Sequence, residues 1–217
     1  MKQEQITLLL VDDHAIVRAG YRQLISTTPD IVVIGESAAA EEACQQYDEL
    51  QPDVVVMDLN LPGMSGLEAI RRLISKAPSA AILAFTMHDE LAYVHRALEA
   101  GAKGYLTKSC DPDLLIEGVY ALAKGENYIE PVLAEALLKS EAASKVITKN
   151  GLEELSPREF DVFCLLAEGK ACKQAASTLF LSEKTVSNYA TKIKNKLGVR
   201  TLPELTRIAY QEGIAIV

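Results

Sequence analysis

Five side chains of complementary chemistry stand where short apolar runs end in the first half of the sequence. Asp12 and Asp13 follow Ile6–Val11, Asp58 follows Val54–Met57, Thr86 follows Ala80–Phe85, and Lys108 lies just beyond Gly104-Tyr105-Leu106. Two or three carboxylates with oxygen neighbours suit Mg²⁺, a hard cation that takes oxygen ligands and keeps some waters. A carboxylate can also attack phosphorus and form an aspartyl phosphate. The cation, an ammonium and a hydroxyl would then neutralise or hydrogen-bond the phosphoryl oxygens. Taken singly, each group is an ordinary solvated residue at a strand end; the pattern lies in all five together. The three histidines, His14, His88 and His95, and the four cysteines, Cys44, Cys110, Cys164 and Cys172, form no Cys-x-x-Cys pair and no His-spaced cluster. Neither a zinc site nor a disulfide framework is expected, and reduced thiols of a cytoplasmic protein are the default.

These groups can meet only if the runs that carry them are strands of one parallel sheet. Ile6–Val11, Ile31–Ile34, Val54–Met57, Ala80–Phe85 and Gly104–Leu106 alternate with helical patterns over Ala15–Ser26, Ala39–Leu50, Leu67–Lys76, Glu90–Ala100 and Leu114–Lys124. Pro52, Pro78, Gly101 and Gly125 punctuate the series. Near-continuous apolar strands in five βα units predict an α/β fold, a five-stranded, parallel, doubly wound sheet of flavodoxin-like type covered on both faces. Ligands in such folds sit at the carboxyl ends of the strands.

A length of 217 residues suits one large domain or two small ones, and 49% apolar with 24% charged residues is an ordinary globular balance. The longest apolar run is far short of the ~20 residues of a membrane-spanning helix. The opening Met-Lys-Gln-Glu-Gln has no apolar region behind its lysine, so no secretory signal is expected. The net charge of −8 is uneven. Residues 1–150 hold 13 Lys and Arg against 22 Asp and Glu, whereas residues 151–217 hold 9 against 8. An acidic body with a locally basic C-terminal part suggests two domains with different partners. The expected divisions are 1–125, a connector over 126–150, and 151–217. Within the connector, Val132–Leu138 could form a helix, and Ser140–Asn150 reads as a tether.

From Ser156 onward the pattern is helical throughout. Ser156 with Glu159 is a capping box, and Pro157 fits the first helical position. A short helix over Cys172–Leu179 leads to a third helix that starts at Ser182 and stops at Gly198, and a fourth follows from about Thr201. Short helix, turn and basic helix describe a helix-turn-helix. On the third helix Lys184, Ser187, Asn188, Thr191, Lys192 and Asn195 share one face at helical spacing, free of acids, opposite Val186, Ile193 and Leu197. Such a face suits base edges and phosphates in a major groove of double-stranded DNA. Thr185, Tyr189 and Lys196 complete the expected DNA-binding set. A single helix-turn-helix buries little surface on DNA, so a homodimer is expected, with the fourth-helix stripe Leu202, Leu205, Ile208 and Ala209 as its candidate contact.

Residues 1–125 resemble a response-regulator receiver domain through Val11-Asp12-Asp13-His14, the run Met57-Asp58-Leu59-Asn60-Leu61-Pro62-Gly63-Met64-Ser65-Gly66, Thr86, and Gly104-Tyr105-Leu106-Thr107-Lys108. The resemblance implies that Asp58 accepts a phosphoryl group from a sensor histidine kinase. It implies that Asp13, Asp58 and the backbone carbonyl of Asn60 bind Mg²⁺, with Asp12 acting mainly through water. It implies that Lys108 pairs with the aspartate and phosphate, that Thr86 swings to the phosphate, and that Tyr105 rotates inward behind it. Residues 153–217 resemble a LuxR-type helix-turn-helix through Leu155-Ser156-Pro157-Arg158-Glu159, Ala167-Glu168-Gly169-Lys170, Leu181–Val186 and Lys192–Val199. The whole chain is similar to the NarL/FixJ family of DNA-binding response regulators. It departs from the usual Val-Lys-x-His of the recognition helix, which reads Val186-Ser187-Asn188-Tyr189 here. Two other functions are open to such residues. A Mg²⁺-dependent phosphatase with an aspartyl-phosphate intermediate would need a second acid two positions after Asp58, where Asn60 stands. A regulator that senses a small molecule would need an apolar N-terminal cavity, whereas the converging groups are charged.

Overall fold

The computed structural model describes residues 5–143, 151–211 and 214. The chain divides into two compact units that part near Glu135. The first carries β1 (Ile6–Val11), α1 (Ala15–Ile25), β2 (Ile31–Ser37), α2 (Ala40–Leu50), β3 (Val54–Met57), α3 (Gly66–Lys76), β4 (Ile82–Thr86), α4 (Leu91–Ala100), β5 (Gly104–Thr107), α5 (Pro112–Ala123) and β6 (Tyr128–Ile129). After α6 (Pro131–Ala143), the second carries α7 (Pro157–Ala167), α8 (Cys172–Thr178), α9 (Glu183–Leu197) and α10 (Leu202–Gln211).

Every strand pair in the sheet is parallel, in the order β2-β1-β3-β4-β5-β6. The strand order changes direction between β1 and β3, which makes their carboxyl ends the place where such folds bind ligands. β3, β4 and β5 are buried at every position, as strands covered on both faces must be. Leu8, Leu10, Val54, Val56, Leu83, Phe85 and Leu106 form a core with Ile25 of α1 and Leu115, Val119 and Leu122 of α5. The alternate residues Leu9, Val11, Val55 and Met57 are equally buried and point the other way.

The sheet has six strands where five were expected. β6 pairs with β5 through Tyr128 and Ile129 alone. Two paired residues, flanked by Glu126, Asn127 and Glu130, are too short to show alternation. What holds the strand is backbone pairing and one carboxylate. Glu130 N–H donates to the Tyr105 carbonyl at 2.9 Å, and Glu130 Oε2 accepts from both the N–H and the hydroxyl of Thr107, each at 2.8 Å. α6 runs to Ala143, four residues into the stretch read as a tether, and residues 144–150 lie outside those described.

The second unit starts from the expected capping box. Ser156 Oγ accepts from Glu159 N–H at 3.3 Å and Glu159 Oε2 accepts from Ser156 N–H at 2.8 Å. α7 packs against α8, α9 and α10. Phe160, Phe163, Val186, Ile193, Leu205 and Ala209 are buried in this unit. Ser182 Oγ caps α9 by accepting from Thr185 N–H at 3.0 Å, and Gly198, at φ 67°, ends it. Phe180, in the turn between α8 and α9, also holds a left-handed conformation at φ 55° with its ring exposed.

Gly66 ties the fold to the sites above. A Cβ there would lie 2.1 Å from the carbonyl oxygen of Asp58 and 2.6 Å from Leu59 Cα. The first turn of α3 therefore rests on the backbone that carries Asp58, and Gly66 N–H donates to the Leu59 carbonyl at 3.0 Å. Gly66→Ala is expected to lower stability by about 2 kcal/mol or more, because backbone and not a flexible side chain must yield. A lower urea midpoint with an unchanged slope would show it; an unchanged midpoint would refute it.

Candidate functional site

Asp12 follows β1 and Asp58 follows β3, and both side chains are shut away from solvent. The buried ammonium of Lys108, just past β5, lies 2.7 Å from Asp12 Oδ2 and 2.5 Å from Asp58 Oδ2. The other oxygen of each acid takes a backbone donor. Asn60 N–H donates to Asp58 Oδ1 at 3.0 Å, and His14 N–H donates to Asp12 Oδ1 at 2.8 Å. Arg18, one turn into α1, donates from Nη1 to the Asp12 carbonyl. Burial raises the Asp58 carboxyl above its ordinary range, against the lowering pull of the Lys108 charge and the Lys108 and Asn60 hydrogen bonds; the Asp12 charge adds to the rise. Burial alone would lower Lys108, but Asp58 and Asp12 outweigh it and hold the ammonium more strongly protonated than usual.

Asp13 Oδ1 is closed off from solvent and accepts no hydrogen bond. It lies 2.7 Å from His14 Nδ1 without hydrogen-bond geometry. One ligand atom from each of Asp12, Asp13, His14 and Asp58 falls within 4.8 Å of the others, a group suited to a cation. The structure therefore brings together Asp12, Asp13, Asp58 and Lys108 as expected. His14 is an addition that residue spacing gave no reason to single out.

Thr86, at the end of β4, is buried, and its hydroxyl accepts from His88 N–H at 3.5 Å. Tyr105 is fully buried, with its hydroxyl donating to the His88 carbonyl at 2.9 Å. The inward position that the resemblance assigns to the phosphorylated state is thus already occupied here. His88 stacks on Tyr93 with ring centroids 3.7 Å apart, and its Nε2 lies 3.0 Å from Asn60 Oδ1. It joins the loop after Asp58 to the residues Thr86 and Tyr105. Nothing in its sequence position signals this, because the contact spans 28 residues.

In the second unit, the third-helix face is where the sequence puts it. Lys184, Ser187, Asn188, Thr191, Lys192 and Asn195 of α9 are exposed, while Val186 and Ile193 are buried behind them. Thr185 and Tyr189 are half-buried at the margin of that face, and the Lys192 ammonium stands 5.9 Å from the Tyr189 ring centroid. Lys196 has a different job. Its ammonium lies 2.6 Å from Glu159 Oε2 and 2.9 Å from the Glu154 carbonyl, which ties α9 to the capping box of α7. Burial would raise the Glu159 carboxyl, but Lys196 and the Ser156 donors more than offset that and hold it below its ordinary range. The stripe expected to mediate dimer contact is mostly interior. Leu205, Ile208 and Ala209 are buried in a unit whose α10 packs on α7, and only Leu202 is exposed. A four-helix unit this small has to spend that stripe on its own core.

Comparison with known proteins agrees with both units. The response regulator receiver domain family matches residues 8–120, and the luxR family of bacterial regulatory proteins matches residues 153–209. The nitrate/nitrite response regulator protein NarL of Escherichia coli K12 is 36% identical over 212 residues, 98% of each chain. The transcriptional activator protein ExaE of Pseudomonas putida is 39% identical over 207 residues, 95% of this chain and 97% of its own. Among solved structures, RcsB of Salmonella enterica serovar Typhimurium, bound to promoter rprA in the presence of phosphomimetic BeF3−, superposes with a TM-score of 0.65. It has 26% identity and covers 98% of this chain and 100% of that one. With a receiver unit and a LuxR-type unit each matched in place, and relatives aligned over nearly their full length, the chain belongs to the NarL/FixJ family of two-component response regulators, transcription regulators that join a receiver domain to a LuxR-type DNA-binding domain.

Proposed function

We propose that Asp58 is the phosphoacceptor and that its modification controls sequence-specific binding of α9 to double-stranded DNA. The observation that carries this reading is the convergence of Asp12, Asp13, Asp58, Lys108 and Thr86 at the carboxyl ends of four neighbouring strands. An Asp58 oxygen donates an electron pair to the phosphorus of a sensor kinase phosphohistidine. An O–P bond forms as the phosphorus–nitrogen bond breaks, and the imidazole leaves with the electrons of the broken bond and takes up a proton. Lys108, already on Asp58, pairs with the phosphoryl oxygens. Thr86 supplies a hydroxyl, and Tyr105 passes the change outward through His88. The chain is a phosphoryl acceptor in a cytoplasmic signalling pathway and not a turnover enzyme; autodephosphorylation only resets it.

The donor set fits Mg²⁺. Asp12, Asp13 and Asp58 offer carboxylate oxygens, and Asp13 Oδ1 has no hydrogen bond to give up; the Asn60 backbone carbonyl would join them as a ligand. Bound there, Mg²⁺ supplies positive charge at the phosphoryl oxygens. Asp12, Asp13 and Asp58 hold the cation, while Lys108 keeps Asp12 and Asp58 compatible.

On DNA, the exposed face of α9 enters the major groove. Lys184, Lys192 and Thr191 serve phosphates, Ser187 and Asn188 reach base edges, and Thr185 and Tyr189 contact the backbone at the margin. Lys196 contributes through its hold on α7 before it contributes to any phosphate. Two copies reading two half-sites form the active dimer, through a surface other than the buried side of α10.

Three outcomes test this. Asp58→Asn should gain no phosphoryl group from acetyl phosphate and Mg²⁺, whereas the parent gains one by intact mass. A phosphorylated Asp58→Asn protein would remove the assignment. Asp13→Ala should weaken Mg²⁺ binding by about tenfold or more, and unchanged affinity by titration would sink the metal role. Lys192→Ala should weaken binding to every DNA sequence and reduce the salt slope by about 1. Asn188→Ala should instead cost roughly 1–3 kcal/mol on the specific site alone. Equal losses on specific and random DNA would take Asn188 out of the base-reading set.

A further inference from the structure

We propose that the His14 imidazole is a nitrogen ligand of the acidic site, and that it biases this site towards a divalent transition metal of the Co²⁺ class over Mg²⁺. The inference rests on the reading of the acidic rim as a cation site. It concerns which cation this chain selects.

Three observations carry it. First, His14 Nδ1 belongs to the same group as the carboxylates, with one ligand atom from each of Asp12, Asp13, His14 and Asp58 within 4.8 Å of the others. Ligands on opposite sides of one metal at ~2.1 Å stand at most about 4.2 Å apart, so the group needs to close by only about half an ångström. The His14 side chain is 64% exposed and free to make that adjustment. Second, Nδ1 sits 2.7 Å from Asp13 Oδ1 and 3.4 Å from Asp12 Oδ1, yet Asp13 Oδ1 accepts no hydrogen bond. The imidazole nitrogen and the two carboxylates thus stand side by side, and Asp13 Oδ1 has no hydrogen bond to lose when a cation is shared among them. Third, the remaining bonds leave this edge of the site open. Lys108 takes Oδ2 of Asp12 and of Asp58, away from the oxygens that His14 and Asn60 N–H address.

The chemistry then follows from ligand type. Carboxylate, carbonyl and water suit Mg²⁺, whereas an imidazole added to carboxylates suits the later divalent metals and does little for Mg²⁺. Asp12, Asp13 and Asp58 alone would bind both kinds of metal, with the general rise in affinity along the transition series. The share that comes from His14 is distinguishable because it belongs to one metal and not to the other.

The backbone N–H of His14 holds Asp12 Oδ1 whatever side chain stands at this position. His14→Ala and His14→Phe therefore remove the imidazole and keep that bond, and the second also keeps the bulk. The full chain and both variants would be titrated calorimetrically with CoCl₂ and with MgCl₂, and the visible absorption of the Co²⁺ complexes recorded. The parent is expected to bind one Co²⁺ in this site. Both variants should bind Co²⁺ about tenfold more weakly or worse, with Mg²⁺ affinity changed less than twofold and the Co²⁺ ligand-field bands shifted. Equal weakening for both metals would show that His14 acts only by placing Asp13, and would overturn the inference. Unchanged Co²⁺ affinity and spectrum would overturn it too. Asp58→Asn separates this result from the reading it rests on. If the parent binds neither metal, or Asp58→Asn binds both unchanged, the cation site itself falls. If Asp58→Asn loses both metals while the His14 variants lose neither, only the nitrogen ligand falls.

Discussion

Two carboxylates held out of water at neighbouring strand ends repel one another, and everything at the site depends on how that repulsion is met. With oxygens less than 5 Å apart, two negative charges at an effective dielectric of about 20 repel by roughly 3–4 kcal/mol. Lys108 meets it by reaching both Asp12 and Asp58 with one buried ammonium. Its position is in turn set by β5, whose register against β4 places Thr107 opposite Thr86 and brings Lys108 N–H to the Thr86 carbonyl at 2.7 Å. The sheet thus fixes a cation and two anions to within a hydrogen bond. Asp58 remains raised all the same, chiefly because it is buried, with the Asp12 charge adding to the rise.

Much of this could be read before any coordinates. Apolar strands that end in Asp12-Asp13, Asp58 and Thr86 are a pattern of period and punctuation, and such patterns survive folding because the strands are buried on both sides. The caps at Ser156 and Ser182 are equally local, each spanning three residues. The missed features share the opposite property. β6 has two paired residues and no period to detect. His88 meets Asn60 across 28 residues, and Lys196 meets Glu159 across 37. Such contacts are set by how elements stack, which a one-dimensional pattern does not carry. The α10 stripe was misjudged for a related reason: periodicity shows that a face is apolar and leaves open whether a neighbour in the same unit or a second copy covers it.

The Lys196–Glu159 pair also changes how the second unit works. A helix-turn-helix has to present its reading face at a fixed tilt. Here the far end of α9 is tethered to the start of α7 by a charge-assisted hydrogen bond, while its near end is capped by Ser182. The lysine that seemed free for DNA instead stiffens the frame from which Lys184 and Lys192 project. Phe180 holds a strained left-handed conformation, φ 55°, in the turn just before α9.

The short edge strand bears on how such regulators recombine. Glu130 closes the rim of the sheet by accepting two bonds from Thr107, next to the lysine that the acidic pocket needs. A genetic crossover placed at residue 125, where the helical pattern of the receiver ends, would discard this closure. It would leave the Thr107 N–H without its partner and bare β5 as an open edge, a template for pairing with other chains. A swap of output modules that keeps the donor receiver intact has to carry the chain through Glu130. The unit of inheritance is thus longer than the five βα repeats by the five residues 126–130, which look, on paper, like spacer.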